Sequence, residues 1–92
     1  MSRDEGTKAV REYLATEFLG ATVEDFFIAD RQARRFLVVT SGRSYLAVVS
    51  FEFLENTAPE RIPNLLRRWD LAEEMRAAGE PGVLVTEGIS RL

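Results

Sequence analysis

Carboxylates and arginines are the chemically able side chains of this sequence. Fifteen Asp and Glu stand against eleven Arg and a single lysine, Lys8, and the 92 residues include neither His nor Cys. Histidine is the commonest general acid–base and, with cysteine, supplies most transition-metal ligands. Without either, no Ser-His-Asp or Cys-His relay can be assembled within one chain, and a zinc site would rest on carboxylates alone. What remains is hard-metal chemistry on paired carboxylates and anion recognition by arginine. The carboxylate pairs are poorly disposed for the first. Glu24 and Asp25 are consecutive in a strand-like stretch and point to opposite faces. Glu73 and Glu74 are consecutive on a helix, about 100° apart, and Glu12 and Glu17 diverge in both angle and rise. No catalytic residue is assigned, and no cofactor or metal is expected.

Anion recognition has better material. Arg31, Arg34 and Arg35 cluster around one turn, with Arg43 in the next turn and Arg67 and Arg68 side by side near the end of the chain. Arginine forks match phosphate oxygens, so the Arg31, Arg34, Arg35 group is the candidate nucleic-acid or phosphate contact. Against it stand a net charge of −3 and nearby acids able to pair with these arginines on a solvated surface. No interleaved aromatic and basic residues mark a single-strand binder.

The elements that must position these residues are legible from periodicity. Ser2-Arg3-Asp4-Glu5 has the spacing of a capping box. Val10, Tyr13, Leu14 and Phe18 then recur at helical spacing up to Gly20, which predicts a helix over 4–19. Tyr13 and Tyr45 are read as core-edge residues whose hydroxyls reach water. Thr22 to Ala29, Phe36 to Thr40 and Ser44 to Leu54 are rich in β-branched and aromatic residues and read as three strands of an antiparallel meander. Thr57-Ala58-Pro59-Glu60 is a second capping box. Pro63 leaves two starts open for the last helix, one near residue 58 and one at Pro63 after a short turn. Gly79-Glu80-Pro81-Gly82 ends that helix. A short strand follows at Val83 to Thr86, and the last six residues are expected to fray. The fold class is therefore α+β, a single domain over 1–92 in the order α-β-β-β-α-β, with the meander packed by two helices and a short fourth strand.

Two patterns point to a partner. The third strand is apolar on both sides near the middle of the sheet: Tyr45, Ala47, Val49, Phe51 and Phe53 face one way, Leu46, Val48 and Leu54 the other, with Ser50 and Glu52 among the latter. A sheet covered on one side alternates apolar with polar residues. Either the two helices cover one face each, or both share a face and something else covers Leu46 and Val48. A second copy is the simplest cover, because two-fold homodimers are the commonest assembly. On the last helix, Ile62, Leu65, Leu66, Trp69 and Ala72 form one stripe. A straight helix through residue 78 places Leu71 and Met75 on the opposite side as partner contacts. The alternative is a break near Asp70, where Asp70-Leu71-Ala72-Glu73 has the spacing of a fresh helix start, turning Leu71 and Met75 inward. The straight helix is the expectation carried forward.

In element order alone, α-β-β-β-α resembles the double-stranded-RNA-binding domain. Where that family has a lysine-rich start to its second helix, this chain reads Ala58-Pro59-Glu60-Arg61-Ile62-Pro63. With the final strand added, the order resembles the core of restriction-endonuclease-like nucleases. That resemblance implies Mg²⁺ held on an Asp and a following Glu, with a lysine two residues later. Here the third strand offers Glu52, but the residue two positions on is Leu54 rather than lysine, and Asp25 or Asp30 would be a remnant ligand, so the implied version is catalytically dead. The reading as a whole is a non-enzymatic protein-interaction or regulatory module, self-associating, with nucleic-acid binding as the alternative. With no signal peptide, no membrane-length apolar run and no cysteine, a cytoplasmic location is expected.

Overall fold

The computed structural model describes residues 3–92; Ser2, the expected cap of the first helix, lies outside them. Helix α1 (Arg3–Glu17) forms on the expected stripe and buries Val10, Tyr13 and Leu14. Phe18 is buried just past its end. The chain leaves α1 through Gly20 at φ 81°, a left-handed conformation that costs glycine nothing.

Strands β1 (Thr22–Ile28), β2 (Ala33–Thr40) and β3 (Arg43–Ser50) form the meander. Both pairings are antiparallel and without a slip, so Asp25 stands beside Phe36 and Phe36 beside Ala47. A 3₁₀ turn at Ala29–Arg31 joins β1 to β2.

The third strand does not reach Leu54. It stops at Ser50, whose hydroxyl accepts the Phe53 N–H at 3.1 Å and caps a short helix, α2 (Phe51–Asn56). Adjacent Phe53 and Leu54 are then both buried, which a helix face permits and strand alternation does not. The second capping box is not used either. Thr57 closes α2, and Pro59–Arg61 make a 3₁₀ turn without a side-chain cap. Of the two possible starts, the short turn before Pro63 is the one adopted, and α3 spans Ile62–Arg68.

The expected straight helix is broken. Asp70 takes φ 56°, ψ 44°, and a separate helix, α4 (Leu71–Ala78), sets off in a new direction. The break turns Leu71 and Met75 into the core, both fully buried. Strand β4 (Val83–Val85) then lies parallel to β3, the three helices α2 to α4 forming the crossover between them. The last residues do not all fray, because β5 (Ile89–Arg91) pairs antiparallel with β4.

The result is a single compact α+β domain with one five-stranded sheet in the order β1-β2-β3-β4-β5. One core holds it together. Val10, Tyr13, Leu14 and Phe18 meet Phe36, Val38, Ala47, Val49, Val83 and Val85 from the sheet, and Phe53, Leu54, Ile62, Leu66, Leu71 and Met75 from the remaining helices. Each large side chain buried there contributes about 1.5–3 kcal/mol relative to exposure.

Candidate interaction surface

Strand alternation divides the sheet into two faces, and all four helices pack on one of them. The inner residues Phe36, Val38, Ala47, Val49, Val83 and Val85 share a cluster with the helical apolar residues. Polar and aromatic contacts agree. Arg11 of α1 pairs with Asp25, Phe51 of α2 stacks on Phe27 at 5.2 Å, and Glu74 of α4 meets Arg91 at 3.5 Å.

The other face carries no helix. Its middle row runs across four strands as Phe26, Arg35, Val48 and Leu84, and the neighbouring row as Glu24, Leu37 and Leu46. Phe26 is 42% exposed and Val48 3%, while Leu37, Leu46 and Leu84 are half-buried. Val48 is flanked by Arg35 and Leu84 on the neighbouring strands. The Arg35 guanidinium lies 5.4 Å from the Phe26 ring centre, a cation–π distance. Glu24 and Arg35 are the only charged strand residues on this face, one of each sign. The meander therefore presents a nearly neutral apolar surface on an acidic molecule. Leu46 lies on it, half-buried, whereas Val48 points to the same face but is buried and offers little surface to a partner. Phe26 and Leu84 extend it and were not singled out in the sequence; the cross-strand register alone brings them there.

Leu71 and Met75 do not belong to any surface. The Asp70 break buries both, so they are corrected from partner contacts to core residues. The arginine group is not gathered on one surface. Arg31 is exposed in the 3₁₀ turn, and consecutive strand residues Arg34 and Arg35 point to opposite faces. Arg34 is already engaged, its Nε donating to Asp25 Oδ1 at 2.6 Å while Arg11 holds the other oxygen. Burial alone would raise the Asp25 pKa, but the hydrogen bonds from Arg34 and Arg11 outweigh it and hold the carboxyl below its ordinary range.

The carboxylates named for a metal are also separated by their elements. Asp25 is inside the helix–sheet layer with its two arginines, Asp30 is in the 3₁₀ turn, and Glu52 is on α2 rather than on a strand. Among the described residues no group of three or more acidic side chains converges to hold a metal. Tyr13 differs from expectation too. It is 3% exposed, and its hydroxyl accepts the Ala72 N–H at 3.2 Å instead of reaching water. Burial, partly offset by that hydrogen bond, pushes its pKa up.

Compared with protein-family models, curated proteins and solved structures, the chain matches none. Among the described residues no helix is long and apolar enough to cross a membrane.

Proposed function

We propose that this chain is a non-enzymatic interaction module that self-associates through the open face of its sheet. The observation that carries the reading is the placement of all four helices on one face, which leaves Phe26 exposed and Leu37, Leu46 and Leu84 half-exposed on the other. Apolar patches of this kind on a soluble domain mark contact surfaces. A second copy fits the face for two reasons. A two-fold interface needs a self-complementary surface, and this one sets Arg35 and Glu24 on the strands, with Glu80 at its edge, beside apolar side chains. The molecule's net charge of −3 is carried elsewhere, so the approach of like copies is not opposed at the contact.

The area sets the strength. With three long strands and two short ones, spacings of about 4.8 Å between strands and about 3.3 Å per residue give roughly 450 Å² of face per copy. Two such faces bury roughly 900 Å² in all, below the size of a standard specific interface, so the dimer is expected to be weak and concentration-dependent. Light scattering after size exclusion, run over a concentration series, tests it. The expected result is a mass rising towards two copies, and a monomer throughout when Leu46 is replaced by Asp with an unchanged circular dichroism spectrum. A wild-type monomer at every concentration would remove self-association from the reading.

A further inference from the structure

Apart from the open face, the molecule has a cleft of about 470 Å³ at the carboxyl ends of its two parallel strands. Ser50, the last residue of β3, and Thr86, which follows β4, form its inner end. In sheets with parallel crossovers, the space outside the strand carboxyl ends is where ligands settle, because the connecting helices leave it open. Phe53, Leu65 and Trp69 provide apolar walls, with the Phe53 and Trp69 rings 5.8 Å apart and inclined at 48°. Glu52 and Glu87 complete the lining, and no basic residue is part of it. Both glutamates are exposed, and among the described residues neither takes part in any of the ion pairs. The side chains of Asn56 and Thr57 line the same cleft.

We infer that this cleft binds a guanidinium group, presented as an arginine side chain of a polypeptide. Two carboxylates beside two aromatic rings are complementary to a planar organic cation. Guanidinium is weakly hydrated, stacks on aromatic faces and directs its N–H donors in its own plane towards carboxylate oxygens. A compact ammonium lacks the flat face that the half-buried Trp69 ring, backed by the buried Phe53, accommodates. The cleft is open to solvent, with Glu52, Asn56, Thr86 and Glu87 all exposed, so it grips one end of a long side chain rather than enclosing a whole small molecule, which a metabolite site does. The acidic lining also disfavours free arginine, whose α-carboxylate would be brought near Glu52 and Glu87. This site is independent of the sheet face, and its outcome does not depend on whether the chain dimerises.

Trp69 is the only tryptophan, so the site carries its own probe. The experiment titrates the intact protein, at fixed ionic strength, with Nα-acetyl-arginine N-methylamide, with the neutral isostere Nα-acetyl-citrulline N-methylamide, and with free arginine. Tryptophan emission and the chemical shift of the Trp69 indole N–H are read together, so a ligand silent in one is seen in the other. Saturable binding of the capped arginine in the millimolar range is expected, with no response to citrulline and weaker binding of free arginine. The double variant Glu52→Gln, Glu87→Gln, with both substitutions at exposed positions, is expected to weaken the capped ligand at least about fivefold. Equal responses to arginine and citrulline, no saturable change in either readout, or undiminished binding by the double variant would each overturn the inference. Tighter binding of free arginine than of the capped form would overturn the polypeptide source.

Discussion

Asp25 is the residue whose ionisation most directly supports the fold. Its carboxyl is 11% exposed and takes one hydrogen bond from Arg34 and one from Arg11. The folded-state pKa is therefore lower than the unfolded one. A group shifted in this direction stabilises fully above its unfolded pKa, near about 4, and loses that contribution as pH falls through the folded value. Because Arg11 and Arg34 are 44% and 32% exposed, solvent screens the pairs, and Asp25→Asn is expected to cost only about 1–2 kcal/mol at neutral pH. Urea melts from pH 7 down to pH 2 check this: the variant should lose the part of the acid slope that wild type shows below about pH 4. Tyr13 behaves oppositely at the alkaline end. Its raised pKa means the neutral phenol is favoured by folding, so its contribution is complete below about pH 10 and is lost as pH rises beyond it. Tyr13→Phe removes the acceptor for the Ala72 N–H in the first turn of α4, which leaves a buried donor unmatched at a cost of about 1–3 kcal/mol. The same variant should show a flatter stability profile above pH 10, read by thermal melts in matched buffers.

The elements differ in how far local sequence decides them. Helix α1 and the meander were legible because each has a clean period: Val10, Tyr13 and Leu14 on one helical stripe, and β-branched and aromatic runs separated by Asp30–Gln32 and Ser41–Gly42 turns. Helix α2 was hidden because Phe51-Glu52-Phe53 continues the alternation of β3. The countersignal was present in Ser50 as a cap and in adjacent Phe53 and Leu54. The break at Asp70 had a local hint in the Asp-x-x-Glu spacing, but its stabilising contact comes from 59 residues away, where the Tyr13 hydroxyl takes the Ala72 N–H. No period in the sequence reports such a contact. Of the contact candidates, Leu46 and Val48 depended only on strand alternation and both point to the open face, where Leu46 is half-buried and Val48 buried, whereas Leu71 and Met75 depended on that break and lie in the core. The cleft was illegible because Glu52, Trp69 and Glu87 come from three separate elements. The break makes its own prediction. Asp70 sits at φ 56°, where a non-glycine residue carries strain, so Asp70→Gly is expected to raise stability by up to about 1 kcal/mol, measured by denaturant melts. Gly6→Ala should do the reverse, although alanine is the better helix former by about 1 kcal/mol. A Cβ at position 6 would lie 2.4 Å from the Leu54 carbonyl oxygen, so α1 and α2 must separate, at an overpacking cost of about 1–3 kcal/mol.

For the whole molecule, the decisive feature is that the two faces of one sheet are covered differently. Its inner face closes the core, and its outer face has apolar side chains of the same kind but no layer over them. The two faces should therefore respond differently to the same substitution. Met75→Asp places a charge in a fully buried position and should unfold the domain, since an unpaired buried charge costs several kcal/mol out of a total stability of about 5–15 kcal/mol. Leu46→Asp places it on the half-buried outer face, where water can still reach it, and should leave the melt nearly unchanged while abolishing association. The chemistry of the face also fixes how association responds to conditions. With few charges of both signs on each copy, Glu24 and Arg35 on the strands and Glu80 at the edge, ionic contributions are small, so sedimentation equilibrium in sodium chloride from low to high concentration should return nearly the same dissociation constant. Sulfate should tighten it, because excluded salts strengthen apolar burial, and cooling should weaken it. A dissociation constant that instead rose steeply with sodium chloride would place the contact on the charged surfaces, away from Leu46 and Val48.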